Sequence, residues 1–267
     1  MLHLSAALTA YILTLTAVLG AVLGSFAACM AGRIAAGENW VSGRSRCDAC
    51  GHVLGVRDLV PIFSWLFLKG RCRWCGARIS IRCPLTEALC AAAFVGVVLR
   101  FDVTLLTVQS LILTVLLLAV ALVDYDTALI PDQLLLAIFT DWLLFAPFVN
   151  NGLLWATVRR GLLGAVTASV PLLLLSVVMD RVLKKESMGG GDIKLFFVCG
   201  LFFSWRTALF LLIVSCILGI AFAVLSGKTA GDPENPKAFP FGPAVAAAAY
   251  VTLLAGESAV SAYLSLF

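Results

Sequence analysis

Eight apolar runs alternate with polar breaks along the chain, at about Ala6–Met30, Leu85–Leu99, Val103–Val123, Gln133–Val149, Leu162–Met179, Ile193–Ser204, Ala208–Leu225 and Phe241–Ala255. A helix crossing the hydrocarbon of a bilayer needs roughly 20 residues, and a helix satisfies its own backbone hydrogen bonds there. The pattern therefore predicts an all-α polytopic membrane protein with about eight transmembrane helices. The run Ile193–Ser204 is short for a span, which lets the residues before it dip into the membrane under the cover of protein. The opening Met1–Ala10 lacks the basic region of a cleavable signal, so the first run is expected to remain as a helix. One long polar segment, Ala31–Thr86, interrupts the pattern. The expected organisation is a first transmembrane helix in 1–31, a cysteine-rich loop domain in 32–86 and a seven-helix membrane core in 87–267.

Composition strengthens the membrane reading. Of 267 residues, 61% are hydrophobic and 13% charged, where a soluble domain is about one quarter charged. The net charge of +4 matters only once it is placed on loops. The polar segment holds nine cations (Arg33, Arg44, Arg46, Arg57, Lys69, Arg71, Arg73, Arg78 and Arg82) against three acids, Glu38, Asp48 and Asp58. The positive-inside rule puts this segment in the cytoplasm and both termini outside. Arg181, Lys184, Lys185, Lys194, Lys228 and Lys237 then also fall inside, while Arg100, Arg159, Arg160 and Arg206 fall outside; the Arg159-Arg160 pair fits least well. The basic excess fits anionic lipid headgroups. It lacks the size and aromatic interleaving of a nucleic-acid surface, so no nucleic acid is expected. A solvated loop that obeys the topology rule explains the same charges.

Between the apolar runs lies Gly189-Gly190-Gly191-Asp192-Ile193-Lys194. Three glycines admit close backbone approach, and an ionisable group at membrane depth costs roughly 2.5–3.5 kcal/mol on insertion scales. Asp192 is either a functional group or the N-cap of a helix starting at Ile193. A second acid favours function. The run Val103–Val123 ends in Asp124-Tyr125-Asp126-Thr127-Ala128-Leu129-Ile130-Pro131-Asp132, and the topology puts this segment on the same cytoplasmic face. Asp124 sits deepest, Asp126 lies further out, and Asp132 follows Pro131 as a helix cap. Two close carboxylates share one proton, which supplies a base to activate water and an acid for the departing amine. His3 and His52 are too few and poorly placed for a triad. Asp180 is expected to pair locally, beside Arg181. Asp141 lies mid-run, away from that face, with no assigned role.

The polar segment carries Cys47-Asp-Ala-Cys50 and Cys72-Arg-Trp-Cys75, each closed by a glycine, Gly51 and Gly76. Two such knuckles resemble a four-cysteine zinc ribbon, and four thiolates suit a closed, structural zinc site. Disulfides are disfavoured in a reducing cytosol. Cys29, Cys83, Cys90, Cys199 and Cys216 have no such spacing and read as small core residues.

The chain resembles the aspartic prepilin peptidases, the leader peptidases of type IV pilins and type II secretion pseudopilins. The resemblance rests on Gly24-Ser25-Phe26, Arg44-Ser45-Arg46-Cys47, Pro61-Ile62-Phe63-Ser64-Trp65, Gly70-Arg71-Cys72, Pro84-Leu85-Thr86-Glu87, Asp124 seven residues before Pro131, and Gly189–Asp192. The Gly-x-Gly-Asp signature alone is shared with presenilin-like intramembrane proteases; with the knuckles and the Asp-x6-Pro segment it is specific. The resemblance implies a catalytic dyad of Asp124 and Asp192. It implies cleavage of a membrane-inserted precursor after a glycine, at the cytoplasmic face of the bacterial inner membrane. It also implies methylation of the new N-terminus with S-adenosylmethionine in many members. Glu87 matches a glutamate recurrent in the family. Ala27-Ala28 stands where Leu-Asn is frequent, Asp48 replaces a proline and Thr86 a valine. Two other classes compete with the peptidase. An ion-coupled transporter would use Asp124 and Asp192 as proton or cation sites at broken helices, and an assembly factor would dock a partner through the cysteine loop.

Overall fold

A computed structural model describes residues 5–39, 43–149, 152–184, 188–226 and 240–266. Of the cations used for topology, Lys185, Lys228 and Lys237 lie outside the described residues, as does His3. Helix dominates: α1 (Ala6–Ala35), α2 (Phe63–Phe67), α3 (Arg82–Phe101), α4 (Leu105–Thr127), α5 (Asp132–Phe145), α6 (Leu154–Leu183), α7 (Gly190–Gly200), α8 (Trp205–Ser226) and α9 (Gly242–Leu264). No strand occurs among the described residues, only the isolated bridges Arg46–Val53 and Arg71–Arg78.

Every apolar run contains a helix, but among the described residues only six helices (α1, α3, α4, α6, α8 and α9) are long and apolar enough to cross a membrane by themselves. They make this a multi-pass membrane protein. The runs at Gln133–Val149 and Ile193–Ser204 deliver α5 and α7, of 14 and 11 residues. At 1.5 Å per residue these reach only about 21 Å and 16 Å, short of a hydrocarbon core of about 30 Å. In an almost wholly apolar stretch, hydrophobicity continues beyond the helix and does not mark its end. The chain after Phe145 and after Gly200 turns while still apolar.

The chain divides into two compact units, 1–107 and 108–267. In the first, α1 packs along α3 through small residues. A side chain at Gly20 would lie 2.9 Å from the Cα of Ala91, and one at Gly24 would lie 2.7 Å from the Cβ of Cys90. Close approach of backbones is how membrane helices associate where no hydrophobic force drives them together. The second unit uses the same device. A Cβ on Gly164 of α6 would run into the carbonyl oxygens of Gly200 and Phe203, at the end of α7. Trp142, Ala165 and Leu201 form a buried cluster beside this crossing. Arg160, the awkward cation of the topology, bonds Glu257 of α9. Of the five unpatterned cysteines, Cys90 and Cys199 are core residues, but Cys83 and Cys216 are exposed and Cys29 half-buried. A thiol is a small hydrophobe that a lipid-facing position tolerates as well as a core does.

Candidate active site and cysteine cluster

Asp124 lies on the last turn of α4 and is only 3% exposed. Its Oδ2 accepts a hydrogen bond of 2.7 Å from the backbone N–H of Gly242, the first residue of α9. That N–H belongs to the unsatisfied first turn of a helix, and the positive end of the helix dipole favours a carboxylate there. Gly242 has no room for a side chain: a Cβ would lie 2.7 Å from Oδ2 and 2.9 Å from Cγ of Asp124. Its neighbours fix it in place. The Phe241 ring packs against Phe196 at 6.1 Å between centroids. Phe241 also fills the space beside Gly219, and Pro243 occupies the second position of α9.

Asp192 stands in the first turn of α7, which begins two residues earlier at Gly190 with Gly189 as its cap. The N-cap role considered for Asp192 is therefore not the one it takes. It is half-buried, and its carboxylate is within electrostatic reach of Asp124. The structure thus brings together two acids 68 positions apart. The three glycines have three different surroundings. A Cβ on Gly191 would press on Ile130 at 3.3 Å, one on Gly189 would sit 3.5 Å from Oδ2 of Asp192, and Gly190 meets open space. The close fit of Gly191 on Ile130 joins the start of α7 to the α4–α5 connection.

The other acids separate cleanly. Asp132 opens α5 but provides no side-chain cap; instead its Oδ1 accepts from Lys194 Nζ at 2.7 Å, an exposed link between α5 and α7 two residues from Asp192. Asp126 is half-buried, so Asp124 is the deepest of the three, as expected from its place in the run. Asp180 accepts from Ser176, one turn earlier, at 3.4 Å. Asp141 is 4% exposed and neither of its oxygens has a hydrogen-bond partner among the described residues. Glu87, in the second turn of α3, accepts from the backbone N–H of Ile62 at 2.6 Å.

The cysteine segment folds as two copies of one knuckle. Gly51 N–H donates to Cys47 O and Gly76 N–H to Cys72 O, while Cys47 N–H donates to His52 O and Cys72 N–H to Ala77 O. Outside these, Leu54 N–H donates to Ser45 O and Ile79 N–H to Gly70 O, both at 2.8 Å. Gly51 and Gly76 adopt φ of +69° and +71°, a region that glycine enters without steric cost. The copies bring the Sγ atoms of Cys47, Cys50, Cys72 and Cys75 within 4.8 Å of one another, with Cys47 and Cys75 at 3.8 Å. Four sulfurs around a zinc at about 2.3 Å sit about 3.8 Å apart, so the cluster fits a tetrahedral metal ion. The N–H groups of Cys50 and then Ala49 pull the Cys47 thiol down to about 7, towards the thiolate that a metal takes. Arg73 bonds Asp58 at 2.8 Å beside the second knuckle and holds that carboxyl below its usual range.

Three features of these sites escaped the sequence: the Gly242 donor, the Lys194–Asp132 link and the Glu87–Ile62 bond. The only local sign of the first is the Phe-Gly-Pro triplet at the head of the last apolar run.

Residues 18–101 match the bacterial peptidase A24 N-terminal domain, and residues 111–224 match the type IV leader peptidase family. A relative from Aeromonas salmonicida is 36% identical over 224 residues, covering 83% of this chain and 75% of its own. One from Bacillus subtilis is 32% identical over 258 residues, covering 95% and 98%. One from Myxococcus xanthus is 32% identical over 231 residues, covering 85% and 68%. All three are named prepilin leader peptidase/N-methyltransferase. No solved structure matches the chain. The two family models fall one on each compact unit, and together with relatives aligned over most of both chains they establish that this chain belongs to the type IV leader peptidase family.

Proposed function

We propose that the chain is a membrane aspartic endopeptidase with Asp124 and Asp192 as its dyad. Its substrates are type IV prepilins or type II secretion pseudopilins, cut after the glycine that ends a basic leader. The observation that carries this reading is the pairing of a buried, amide-held Asp124 with Asp192 at the head of a glycine-rich helix. The pair shares one proton. The ionised carboxylate takes a proton from water, whose oxygen bonds to the scissile carbonyl carbon. The protonated partner polarises the carbonyl oxygen and then delivers its proton to the amine as the C–N bond breaks. Open space over Gly190 admits an extended substrate backbone. The N–H groups at the start of α7, at Gly190 and Gly191, are the donors this reading assigns to the developing oxyanion.

The same reading puts the protein in the bacterial inner membrane with the active site on the cytoplasmic face. All eight helical runs lie within the bilayer, α5 and α7 as short helices shielded by their neighbours. Residues 32–86 form a cytoplasmic module held by zinc on Cys47, Cys50, Cys72 and Cys75, and its cations meet anionic headgroups. The relatives' names extend the proposal to N-methylation of the new terminus with S-adenosylmethionine. The transporter and assembly-factor readings have no support in the relatives.

The test is cleavage of a purified prepilin in detergent by wild type, Asp124→Asn and Asp192→Asn. Wild type is expected to cut at the glycine junction, and each variant to lose at least about a thousandfold while staying folded in the membrane. Wild-type cleavage by either variant would overturn the dyad.

A further inference from the structure

The polar segment contains a short helix built inside out. In α2 the indole of Trp65 turns inward, donating to Ile79 O at 3.2 Å and lying against Gly70. Phe63, Leu66 and Phe67 turn outward, 59%, 55% and 82% exposed, and the preceding Leu59 and Val60 are exposed as well. Phe63, Leu66 and Phe67 fall at helical spacing on one face of α2, Leu59 and Val60 precede it across the turn at Pro61-Ile62, and the exposed cations Arg57, Lys69 and Arg71 flank the group. Apolar side chains clustered in this way on a small module mark a surface that something covers.

The α3 helix supplies the depth at which this face sits. The Glu87 carboxylate accepts from the N–H of Ile62, the residue that starts α2. Ile62 has φ of +62° and ψ of −53°, closing a three-residue turn in which Phe63 N–H donates to Pro61 O at 2.6 Å. A β-branched residue holds that conformation only where its surroundings impose it. Glu87 lies five residues into α3, a helix long and apolar enough to span. At 1.5 Å per residue the Ile62 amide is therefore about 7–8 Å along the span from Arg82. Interfacial helices bury their apolar faces about 5–10 Å into the boundary between headgroups and acyl chains.

We propose that Leu59, Val60, Phe63, Leu66 and Phe67 form an interfacial anchor seated in the leaflet that α3 enters, with Arg57, Lys69 and Arg71 at the anionic headgroups and Glu87 as the tether that sets its depth. The inference rests on the spanning role of α3 and is independent of the peptidase reading. It accounts for Glu87, for the strained Ile62 and for the outward phenylalanines together.

The test uses full-length protein in nanodiscs of phosphatidylcholine and phosphatidylglycerol. In hydroxyl-radical footprinting of the wild type, Phe63, Leu66 and Phe67 are expected to oxidise at least about fivefold less, after correction for intrinsic reactivity, than Trp74 and Val53, which are comparably exposed. Oxidation at the rate of Trp74 would overturn the proposal. A second measurement identifies the cover: p-benzoylphenylalanine at position 67 is expected to yield lipid adducts on irradiation. Adducts to protein alone, whether a second copy or a substrate, would also overturn it.

Discussion

The contact between Gly242 and Asp124 gives the sharpest single-residue test. In Gly242→Ala the new methyl carbon would lie 2.7 Å from Asp124 Oδ2 and 2.9 Å from its Cβ and Cγ. Such distances are not tolerated, so either the carboxylate swings away or the start of α9 retreats. Both break the 2.7 Å bond from the Gly242 amide. A hydrogen bond to a charged group contributes roughly 1.5–3 kcal/mol. If that energy is lost at the proposed dyad, kcat falls about ten- to 150-fold, at 1.36 kcal/mol per factor of ten. KM should stay within about twofold, because the methyl group acts on the carboxylate and not on the substrate's anchoring contacts. Glycine-to-alanine changes at unstrained helical positions stabilise by about 0.4–1 kcal/mol, so a purely local helix effect would leave the enzyme intact or firmer. The assay is steady-state cleavage of a purified prepilin with a parallel thermal melt. A variant that cuts with wild-type kcat, or that loses activity only through KM, would refute the positioning role of Gly242.

Other outcomes follow from contacts elsewhere. Gly164→Val forces a side chain into the Gly200 and Phe203 carbonyls, and overpacking of this kind costs about 1–3 kcal/mol or more; a lowered melting temperature checks it. Asp141→Leu removes a buried carboxyl whose oxygens have no partner among the described residues, and should raise stability by about 1 kcal/mol or more with cleavage unchanged. Cys50→Ser, or treatment with a chelator, should remove one equivalent of zinc per chain, read by metal analysis. Retention of full metal by the variant would dismiss the four-cysteine site. Lys194→Ala breaks a pair whose side chains are 60% and 77% exposed, so stability should change by less than about 1 kcal/mol.

Local chemistry was legible in the sequence. Each knuckle closes on itself within a few residues, so its cysteine and glycine spacing already states its geometry, and the doubled pattern states the cluster. The apolar runs located all six long membrane helices among the described residues, because burial in lipid selects composition directly. Asp124 could be singled out from Asp126 and Asp132 by its place against the run, since depth follows distance along a helix. Other features needed the tertiary structure. The shortness of α7 was already visible in the run Ile193–Ser204, but the length of α5 was hidden because a run that is apolar on all sides carries no periodicity to mark where the helix stops. Asp192 could not be told from a cap until the first turn of α7 was seen to start at Gly190. The donor to Asp124 comes from 118 residues away and is a backbone N–H, a group nearly every residue carries and no motif distinguishes. Only the fold could bring the head of α9 to the foot of α4, and only the resulting lack of space explains why that position is glycine. The sequence by itself determined where the apolar runs, the cysteine cluster and the two candidate acids lie; the tertiary structure decided which runs are long enough to span and what holds one of those acids in place, because that depends on a distance between helices and not on the identity of any one side chain.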